Sequence, residues 1–268
     1  MKRLIILAIL TGFCFSLLAQ DSTKRKLSKQ ERKAERQQYI AAMVKQDEEG
    51  ALIYNKQSVF GVELRTNGYG IFYEYGRRAT RRNANLYSIE FTEIKDPKEE
   101  KTPNGFFTVN NPYVYGKQHN FYQLKLGFGR QYLFGQKGNK NGVALFFNYQ
   151  GGFSAGLLRP YYLQVQEGNG SKEIKYSPQD SAAFLDPTVI IGSAGLGKGW
   201  NEMTFKPGLF LKTVLRFDWG HYNELVSGIE AGISVEAYST KIPILLYAKE
   251  RQFFFQGHLA LVFGRRRS

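Results

Sequence analysis

The chain has 268 residues, 28 of them glycine, and a formal net charge of +14. A mean hydropathy of -0.38 excludes a bundle of membrane helices, because each such helix needs about 20 apolar residues in a row. Apolar residues still make up 43% of the chain, which excludes wholesale disorder. Abundant glycine and 15% aromatic residues, with few helical patterns, predict a β protein with many short turns.

The amino terminus has the pattern of a secretory signal peptide over residues 1–19. Met1-Lys2-Arg3 is a basic start, residues 4–19 are an apolar run, and Ala19 is a small residue at the expected cleavage site. An uncleaved membrane anchor is the alternative. Cys14 would leave with the signal, so an exported chain would be stabilised without disulfides. Because export separates the chain from nucleic acid, the positive charge does not predict nucleic-acid binding.

Residues 20–57 form a basic periplasmic arm in this interpretation. Between residues 22 and 45 the chain carries eight Lys or Arg and two Glu. Such a charge excess is typical of a solvated or disordered segment. Residues 30–45 can also form a helix, which would dock on a periplasmic partner or on an anionic surface.

From residue 58 onward, apolar and polar residues alternate with the period of two that predicts half-exposed strands. Phe60 and Leu64 share one face of the first strand, and Asn67-Gly68 is a strong hairpin signal before the second. A turn at these two residues pairs Leu64 with Ile71 and keeps the apolar faces together. The same alternation predicts further strands around residues 87–92, 122–129, 208–219, 228–236 and 255–263.

Residues 143–165 have two interpretations, because Gly151-Gly152 could make a hairpin turn. A turn would place Ser154 and Gly156 beside aromatic residues, whereas one continuous strand keeps the apolar residues on one face. We expect the continuous strand, which gives eight strands in all. The long predicted loops then lie on one side of the sheet, together with the first turn, and are residues 95–120, 166–203 and 240–251. The short links lie on the other side and are residues 78–85, 135–142 and 220–223.

This asymmetry of loops predicts an all-β fold, an eight-stranded antiparallel transmembrane β-barrel over residues 58–264. The apolar face would contact lipid, and the polar face, rich in glycine and charge, would fill a narrow lumen. Both termini would lie in the periplasm, with residues 265–268 as a basic tail. A soluble β-sandwich shows the same alternation, but export, the glycine-rich polar face and the long strands favour the barrel.

The polar face carries ten charged residues, six acidic and four basic. They are Glu63, Arg65, Glu74, Glu90, Lys125, Lys212, Arg216, Asp218, Glu230 and Glu236. An eight-stranded barrel is wide enough only to be filled by side chains, and an unpaired charge in a dry lumen is costly. We therefore expect a salt-bridged network that closes the lumen. A proton or ion path along the same residues is the alternative.

Other segments give little support for catalysis or for a cofactor. Gly192 to Gly199 approaches a phosphate-binding loop, but Gly199 stands where Ser or Thr would hold magnesium. His119, His221 and His258 lack metal-ligand spacing, so we expect no metal and no other cofactor. We also expect no enzymatic activity. The alternative is a lipid hydrolase of the outer membrane that uses His258 with a nearby serine and a lumen glutamate.

Four stretches of the chain resemble an uncharacterised family of outer-membrane β-barrel proteins from Bacteroidota. They are Glu93–Glu99, Val114–Tyr122, Leu126–Gln131 and Gly156–Tyr162. The resemblance spans roughly residues 58–263. It implies a barrel fold and a location in the outer membrane, and it implies no activity and no functional residues.

Together these patterns predict a structural or interaction component of the cell envelope. Its partners would be outer-membrane lipid and an envelope protein contacted through residues 95–120, residues 166–203 or the basic arm. The first alternative is a small channel or an accessory of transport or secretion. The second is the lipid-modifying enzyme described above.

Overall fold

The computed structural model describes residues 54–102, 112–138, 141–168, 170–220 and 224–267, together with positions 33, 36–38 and 41. The chain divides into two compact units, Met1–Gln46 and Asp47–Ser268. In the first unit the described positions are helical and exposed. The predicted signal peptide and most of the predicted basic arm lie outside the described residues. In the described part of the chain, no helix is long and apolar enough to cross a membrane.

The second unit is built mainly from strands. They are β1 (Lys56–Arg65), β2 (Gly68–Arg78), β3 (Asn83–Ile94), β4 (Lys101–Thr102), β5 (Tyr113–Val114), β6 (His119–Gly135), β7 (Ala144–Pro160), β8 (Tyr162–Glu167), β9 (Gly170–Lys175), β10 (Ile190–Ser193), β11 (Thr204–Asp218), β12 (Leu225–Ile242) and β13 (Arg251–Arg267). A helix spans Ser181–Phe184, and a 3-10 turn spans Trp200–Glu202. Eight strands close an antiparallel barrel in the order β1-β13-β12-β11-β7-β6-β3-β2, which confirms the predicted fold.

The first hairpin turns one residue earlier than predicted. Leu64 pairs with Tyr69, and the turn consists of residues 66–67. Gly68 belongs to the ladder, where it pairs with Arg65 of β1 and with Ile94 of β3. A Cβ atom on Gly68 would lie 1.9 Å from the carbonyl oxygen of Glu93. The partner of Leu64 therefore moves by two positions from the predicted one, and this even shift keeps the apolar side chains on one face.

β7 runs straight through Gly151-Gly152, as predicted, and pairs with β6 on one side and β11 on the other. A Cβ atom on Gly152 would lie 2.0 Å from the carbonyl oxygen of Leu126 in β6. This glycine therefore allows a close approach of two strands and does not mark a turn. The continuous strand is shorter than predicted, because β7 ends at Pro160 and the chain then enters a separate sheet as β8.

The barrel turns its apolar side chains outward. Phe153 is 73% exposed, Leu211 69% and Ile233 64%, and each barrel strand carries exposed aromatic or large aliphatic residues on the same side. The alternate positions point inward, where buried charged, polar and aromatic side chains fill the barrel. This arrangement is the reverse of a water-soluble sheet, which buries its apolar face.

The two ends of the barrel differ in the length of their connections. The end that holds the start of β1 and the end of β13, here called the short-turn end, has connections at residues 79–82, 136–143 and 219–224. The opposite end, here called the long-loop end, has the 66–67 turn and connections at residues 95–118, 161–203 and 243–250. The division agrees with the one predicted from the sequence.

The connection between β7 and β11 contains a folded sheet. Its strands pair in the order β10-β8-β9, and we call them the loop sheet. Its buried core residues are Leu163, Val165, Ile174, Phe184 and Ile190, with Tyr113 from the neighbouring connection. The sequence predicts a loop over residues 166–203, because each of these strands has too few alternating positions to be detected.

The barrel extends beyond both of its predicted boundaries. Lys56 pairs with Arg267 and with Arg77, so β1 begins at Lys56 and not at Ser58. β13 continues through Arg265 to Arg267, so these arginines are the last residues of the ladder and not a tail. Backbone pairing on both sides of β1 extends the strands despite the repulsion between the basic side chains.

Candidate functional site: the charged interior of the barrel

All ten charged residues of the predicted lumen network lie inside the barrel. Each has an exposed fraction of 8% or less. They come from β1, β2, β3, β6, β11 and β12, where they occupy the positions that alternate with the apolar outer residues. The structure gathers them into a six-charge cluster, a three-charge cluster and one ion pair near the short-turn end.

The six-charge cluster consists of Glu63, Arg65, Glu90, Lys125, Lys212 and Glu236. Glu90 is central, since its carboxylate lies 2.9 Å from Lys125 Nζ and 2.8 Å from Lys212 Nζ. Arg65 Nη1 also donates to Glu90, at 3.3 Å. Glu236 pairs with Arg65 and with Lys125, and Glu63 pairs with Lys212. Three acids and three bases leave no formal net charge, so their mutual attraction offsets much of the cost of burial.

A chain of hydrogen bonds connects this cluster to polar neighbours. Arg65 Nη1 donates to Gln123 Oε1 at 3.4 Å, and Gln123 Nε2 donates to Tyr238 Oη at 2.6 Å. The Tyr238 hydroxyl lies 2.7 Å from Ser154 Oγ. Arg65 Nη2 also donates to Ser234 Oγ at 2.6 Å. A buried polar network whose members are hydrogen-bonded is rigid. These hydrogen bonds therefore hold the charged side chains in fixed orientations inside the barrel.

The three-charge cluster consists of Glu74, Arg216 and Glu230. Arg216 lies between the two carboxylates and donates to both. Gln150 Nε2 donates to the other oxygen of Glu74 at 2.8 Å. All three charged residues are fully or almost fully buried, so Arg216 compensates two carboxylates at once. Removing it would leave both acids without an ion-pair partner among the described residues.

The last predicted network residue, Asp218, pairs with Arg266 at the short-turn end. Asp218 Oδ1 also accepts a hydrogen bond from the backbone N–H of Gly220 at 2.9 Å. The Arg266 guanidinium lies 5.1 Å from the centre of the Tyr54 ring and 5.5 Å from that of Phe146. Arg266 is absent from the predicted network because the predicted barrel ends before it, at residue 264. The alternation in β13, continued by four more positions from Val262, would have found it.

An apolar group closes the long-loop end. Buried side chains from the barrel strands and from two of the long connections meet there, namely Ile94, Val114, Phe121, Leu158, Tyr238, Ile242, Ile244, Leu245 and Phe254. Beside them, Lys117 Nζ donates to Glu99 Oε2 at 2.6 Å, and both side chains are buried. The interior is therefore occupied from the Asp218–Arg266 pair at one end to this apolar group at the other.

Outside the barrel, the loop sheet is tied to the 3-10 turn by polar contacts. Lys175 Nζ donates to Glu202 Oε2 at 2.5 Å, and Tyr162 Oη donates to Glu202 Oε1 at 2.9 Å. These two hydrogen bonds, the one from Lys175 first, hold the pKa of Glu202 below its ordinary value. The same contact raises the pKa of Lys175. Glu202 therefore stays ionised over a wider pH range than a free glutamate.

Among the described residues, those considered for catalysis or for a cofactor are not arranged for those roles. His258 is buried, and neither ring nitrogen has a hydrogen-bond partner in the described part of the chain, so no serine or acid orients it. His119 Nδ1 lies 2.9 Å from the carbonyl oxygen of Pro243, and His221 lies outside the described residues. Within the described ranges, no group of three His, Cys, Asp or Glu side chains could hold a metal ion.

The glycine-rich segment, Gly192 to Gly199, leaves β10 and enters the 3-10 turn. Gly195 and Gly199 adopt φ angles of 80° and 83°, which favour glycine. Lys198 Nζ lies 2.8 Å from a carboxylate oxygen of Glu173, on the surface of the loop sheet. A phosphate-binding loop would lead into a longer helix, whereas this one leads into a turn and then β11.

Comparison with known proteins finds similarity in structure alone. No protein-family model matches the chain, and no curated protein matches it in sequence. Among solved structures, Neisserial surface protein A (NspA) is 9% identical, with a TM-score of 0.38 over 79% of this chain and 95% of that one. The N-terminal β-barrel domain of Pseudomonas aeruginosa OprF is 10% identical, with a TM-score of 0.33 over 79% and 98%. Ail, the attachment invasion locus protein of Yersinia pestis, is 12% identical, with a TM-score of 0.34 over 80% and 99%.

Fold and interior together define the class of this protein. It is a closed eight-stranded antiparallel β-barrel with an apolar outer face and an ion-paired interior. The assignment rests on the closed ring of paired strands.

The three-charge cluster yields a stability prediction. Arg216→Met should lower the free energy of unfolding by about 3–5 kcal/mol, because it leaves Glu74 and Glu230 buried without their cation. Urea unfolding of the detergent-solubilised protein measures this loss. Lys172→Met is the matched control, since it removes an ion pair with Glu167 in which both side chains are more than half exposed, and it should cost about 1 kcal/mol or less. Equal losses in the two variants would contradict the conclusion that Arg216 compensates the two buried carboxylates.

Proposed function

We propose that this protein is an outer-membrane β-barrel with a closed, salt-bridged lumen, and that it acts as a structural or interaction component of the cell envelope. The observation that carries the proposal is the combination of an apolar exterior with an interior occupied by paired charges. Membership of the Bacteroidota family, which the four stretches of sequence suggest, belongs to the same proposal.

The outer face supports a location in lipid. Soluble monomers rarely expose continuous apolar patches larger than a few hundred Å². Here every barrel strand contributes exposed aromatic or aliphatic side chains, Phe255 at 74% and Leu64 at 69% among them. The barrel strands have 10 to 18 residues, and a tilted transmembrane strand needs about 9–11. A closed ring also pairs the backbone polar groups of its strands, as a hydrocarbon environment requires.

The loop lengths support an orientation. Outer-membrane barrels have short periplasmic turns and longer external loops. In this proposal the short-turn end, with the start of β1 and the end of β13, faces the periplasm. The loop sheet and the other long connections then face outward from the cell.

The filled interior supports a closed lumen and gives no support to a channel. Glu90 of β3 alone accepts hydrogen bonds from Arg65 of β1, Lys125 of β6 and Lys212 of β11, so side chains from four strands meet in the interior. An ion crossing this layer would have to displace side chains that hold each other in a region of low dielectric. The apolar group at the long-loop end adds a second layer that an ion would have to cross.

The loop sheet supports an interaction role. It has its own buried core around Leu163 and Phe184, and an ion pair between Lys175 and Glu202 fixes it to the 3-10 turn. A surface ordered in this way can bind a partner at a lower entropic cost than a flexible loop. Envelope proteins contacted by this sheet, by the connection at residues 95–118 or by the basic arm are the partners we propose.

The location in lipid predicts a position-dependent cost of charge on the outer face. Ile233→Arg, at the middle of the apolar run of β12, should lower the free energy of unfolding in lipid vesicles by about 2–4 kcal/mol. Ser239→Arg, on the same face but near the long-loop end, should cost about 1 kcal/mol or less. A fluorescence-detected unfolding series measures both. If the two substitutions cost the same, the apolar band does not lie in a bilayer.

The closed lumen predicts that the protein conducts no ions across a bilayer. Full-length protein reconstituted into planar bilayers should give no reproducible conductance steps, because the paired charges and the apolar group obstruct the path. Flotation of vesicles made from the same preparation provides the control for insertion. Stepwise currents of constant size would overturn the closed lumen and favour the channel.

The interaction role predicts that removal of the loop sheet abolishes partner capture. Leu163 and Ser193 are paired neighbours, so a Gly-Gly link can replace residues 164–192 without changing the spacing of β7 and β11. The variant should retain the heat-modifiable gel mobility of a folded barrel and should lose envelope proteins that co-purify with the wild type. A second variant without residues 20–45 separates the contribution of the basic arm. Identical sets of captured proteins in all three preparations would contradict the role of both segments.

A further inference from the structure

Four cations lie side by side on the outer face of the barrel at the short-turn end. Lys56 pairs directly with Arg267 of β13 and with Arg77 of β2, so three cations form one row across three neighbouring strands. Arg265 projects from the next outward position of β13. All four side chains are exposed. We call this group the basic row.

The basic row has no acidic counterpart in the described part of the chain. None of its four members takes part in an ion pair there, and like charges placed directly across strands repel one another. The loop sheet shows the contrast, because Lys172, Lys175 and Lys198 each have a glutamate partner. The repulsion within the basic row therefore favours the binding of an anion there.

A groove beside the basic row has a graded lining. It is open to the surroundings and has a volume of about 450 Å³. Its lining includes three of the cations, Ser58 and Tyr75, and the aromatic rings of Phe60, Tyr73 and Phe263. The register orders these groups along the strands. The row of Lys56 is followed by Ser58 with Tyr75, then by Phe60 with Tyr73, and then by Val62 with Ile71. Charge thus gives way to hydroxyl groups, then to aromatic rings and finally to aliphatic side chains.

We propose that the basic row and its groove bind the phosphate headgroup of an anionic phospholipid, of the phosphatidylglycerol class, in the leaflet that surrounds the short-turn end. The inference rests on the proposed location in a membrane. The cations match the phosphate, the hydroxyl groups match the glycerol and ester region, and the aromatic and aliphatic residues match the upper acyl chains. Positively charged side chains near a bilayer surface attract anionic lipid, and several such side chains in one row concentrate that attraction.

The test compares lipid retention by two variants of equal charge. Full-length protein in a neutral detergent is mixed with phosphatidylglycerol or phosphatidylcholine, freed of excess lipid and analysed by native mass spectrometry. The variant Arg77→Gln, Arg265→Gln, Arg267→Gln should retain phosphatidylglycerol at least about tenfold less than the wild type. The control Lys241→Gln, Lys249→Gln, Arg251→Gln removes three exposed cations at the long-loop end and should retain it as the wild type does.

A second measurement uses the wild type alone. Raising the salt concentration from 0.1 M to 1 M shortens the Debye length from about 10 Å to about 3 Å and should reduce the retention of phosphatidylglycerol but not of phosphatidylcholine. This result does not depend on whether the variants fold, which their heat-modifiable gel mobility reports separately.

Several results would overturn the inference. Equal retention of the two lipids by the wild type, or equal losses in the two variants, would remove the site. Displacement of the lipid by inorganic phosphate would assign the row to free phosphate. Higher retention after Asp47→Asn, Glu48→Gln, Glu49→Gln would identify that acidic segment as the occupant. If the proposed membrane location is wrong, the result differs from these. The protein is then a monomer that is soluble without detergent and retains neither lipid.

Discussion

The pairing of charges inside a closed ring is the constraint on which the rest of the structure depends. Strand alternation sends every second residue inward, and a ring of eight strands leaves those residues little contact with water. A single unpaired carboxylate there would cost several kcal/mol. Glu90 forms ion pairs with three cations at once, and Arg216 forms ion pairs with two acids. The six-charge cluster meets this constraint with three acids and three bases.

Most of the fold is predictable because alternation is a local property of the chain. The outward row of Phe60, Val62 and Leu64 and the inward row of Glu63 and Arg65 can be assigned from spacing alone, and the structure keeps both assignments. The pairing predicted for the first hairpin is wrong by two positions, but the predicted faces are unchanged, since side chains return to the same face with every second residue. The inward direction of all ten network residues follows from this periodicity.

The partners of those residues could not be predicted. Lys212 of β11 reaches Glu63 of β1 and Glu90 of β3, which are neither its neighbours in the chain nor on adjacent strands. Such contacts depend on strand tilt and side-chain reach, which no local pattern encodes. Arg266 was missed for a different reason. Its strand continues through basic residues that resemble a tail, and only its pairing with β1 shows that it belongs to the barrel.

The pairing of β1 with β13 has a consequence for how the ring can form. The first and last strands of the barrel are hydrogen-bonded to each other over the whole of β1, from Lys56 with Arg267 to Arg65 with His258. Their contacts therefore have the largest sequence separation in the barrel, and closure must wait until β13 has emerged and folded back. Loop-closure entropy makes such non-local pairing slow. Until β1 and β13 pair, both strands expose edges with unpaired backbone groups. An assembly factor that covers exposed strand edges would therefore have its largest effect at this pair of strands.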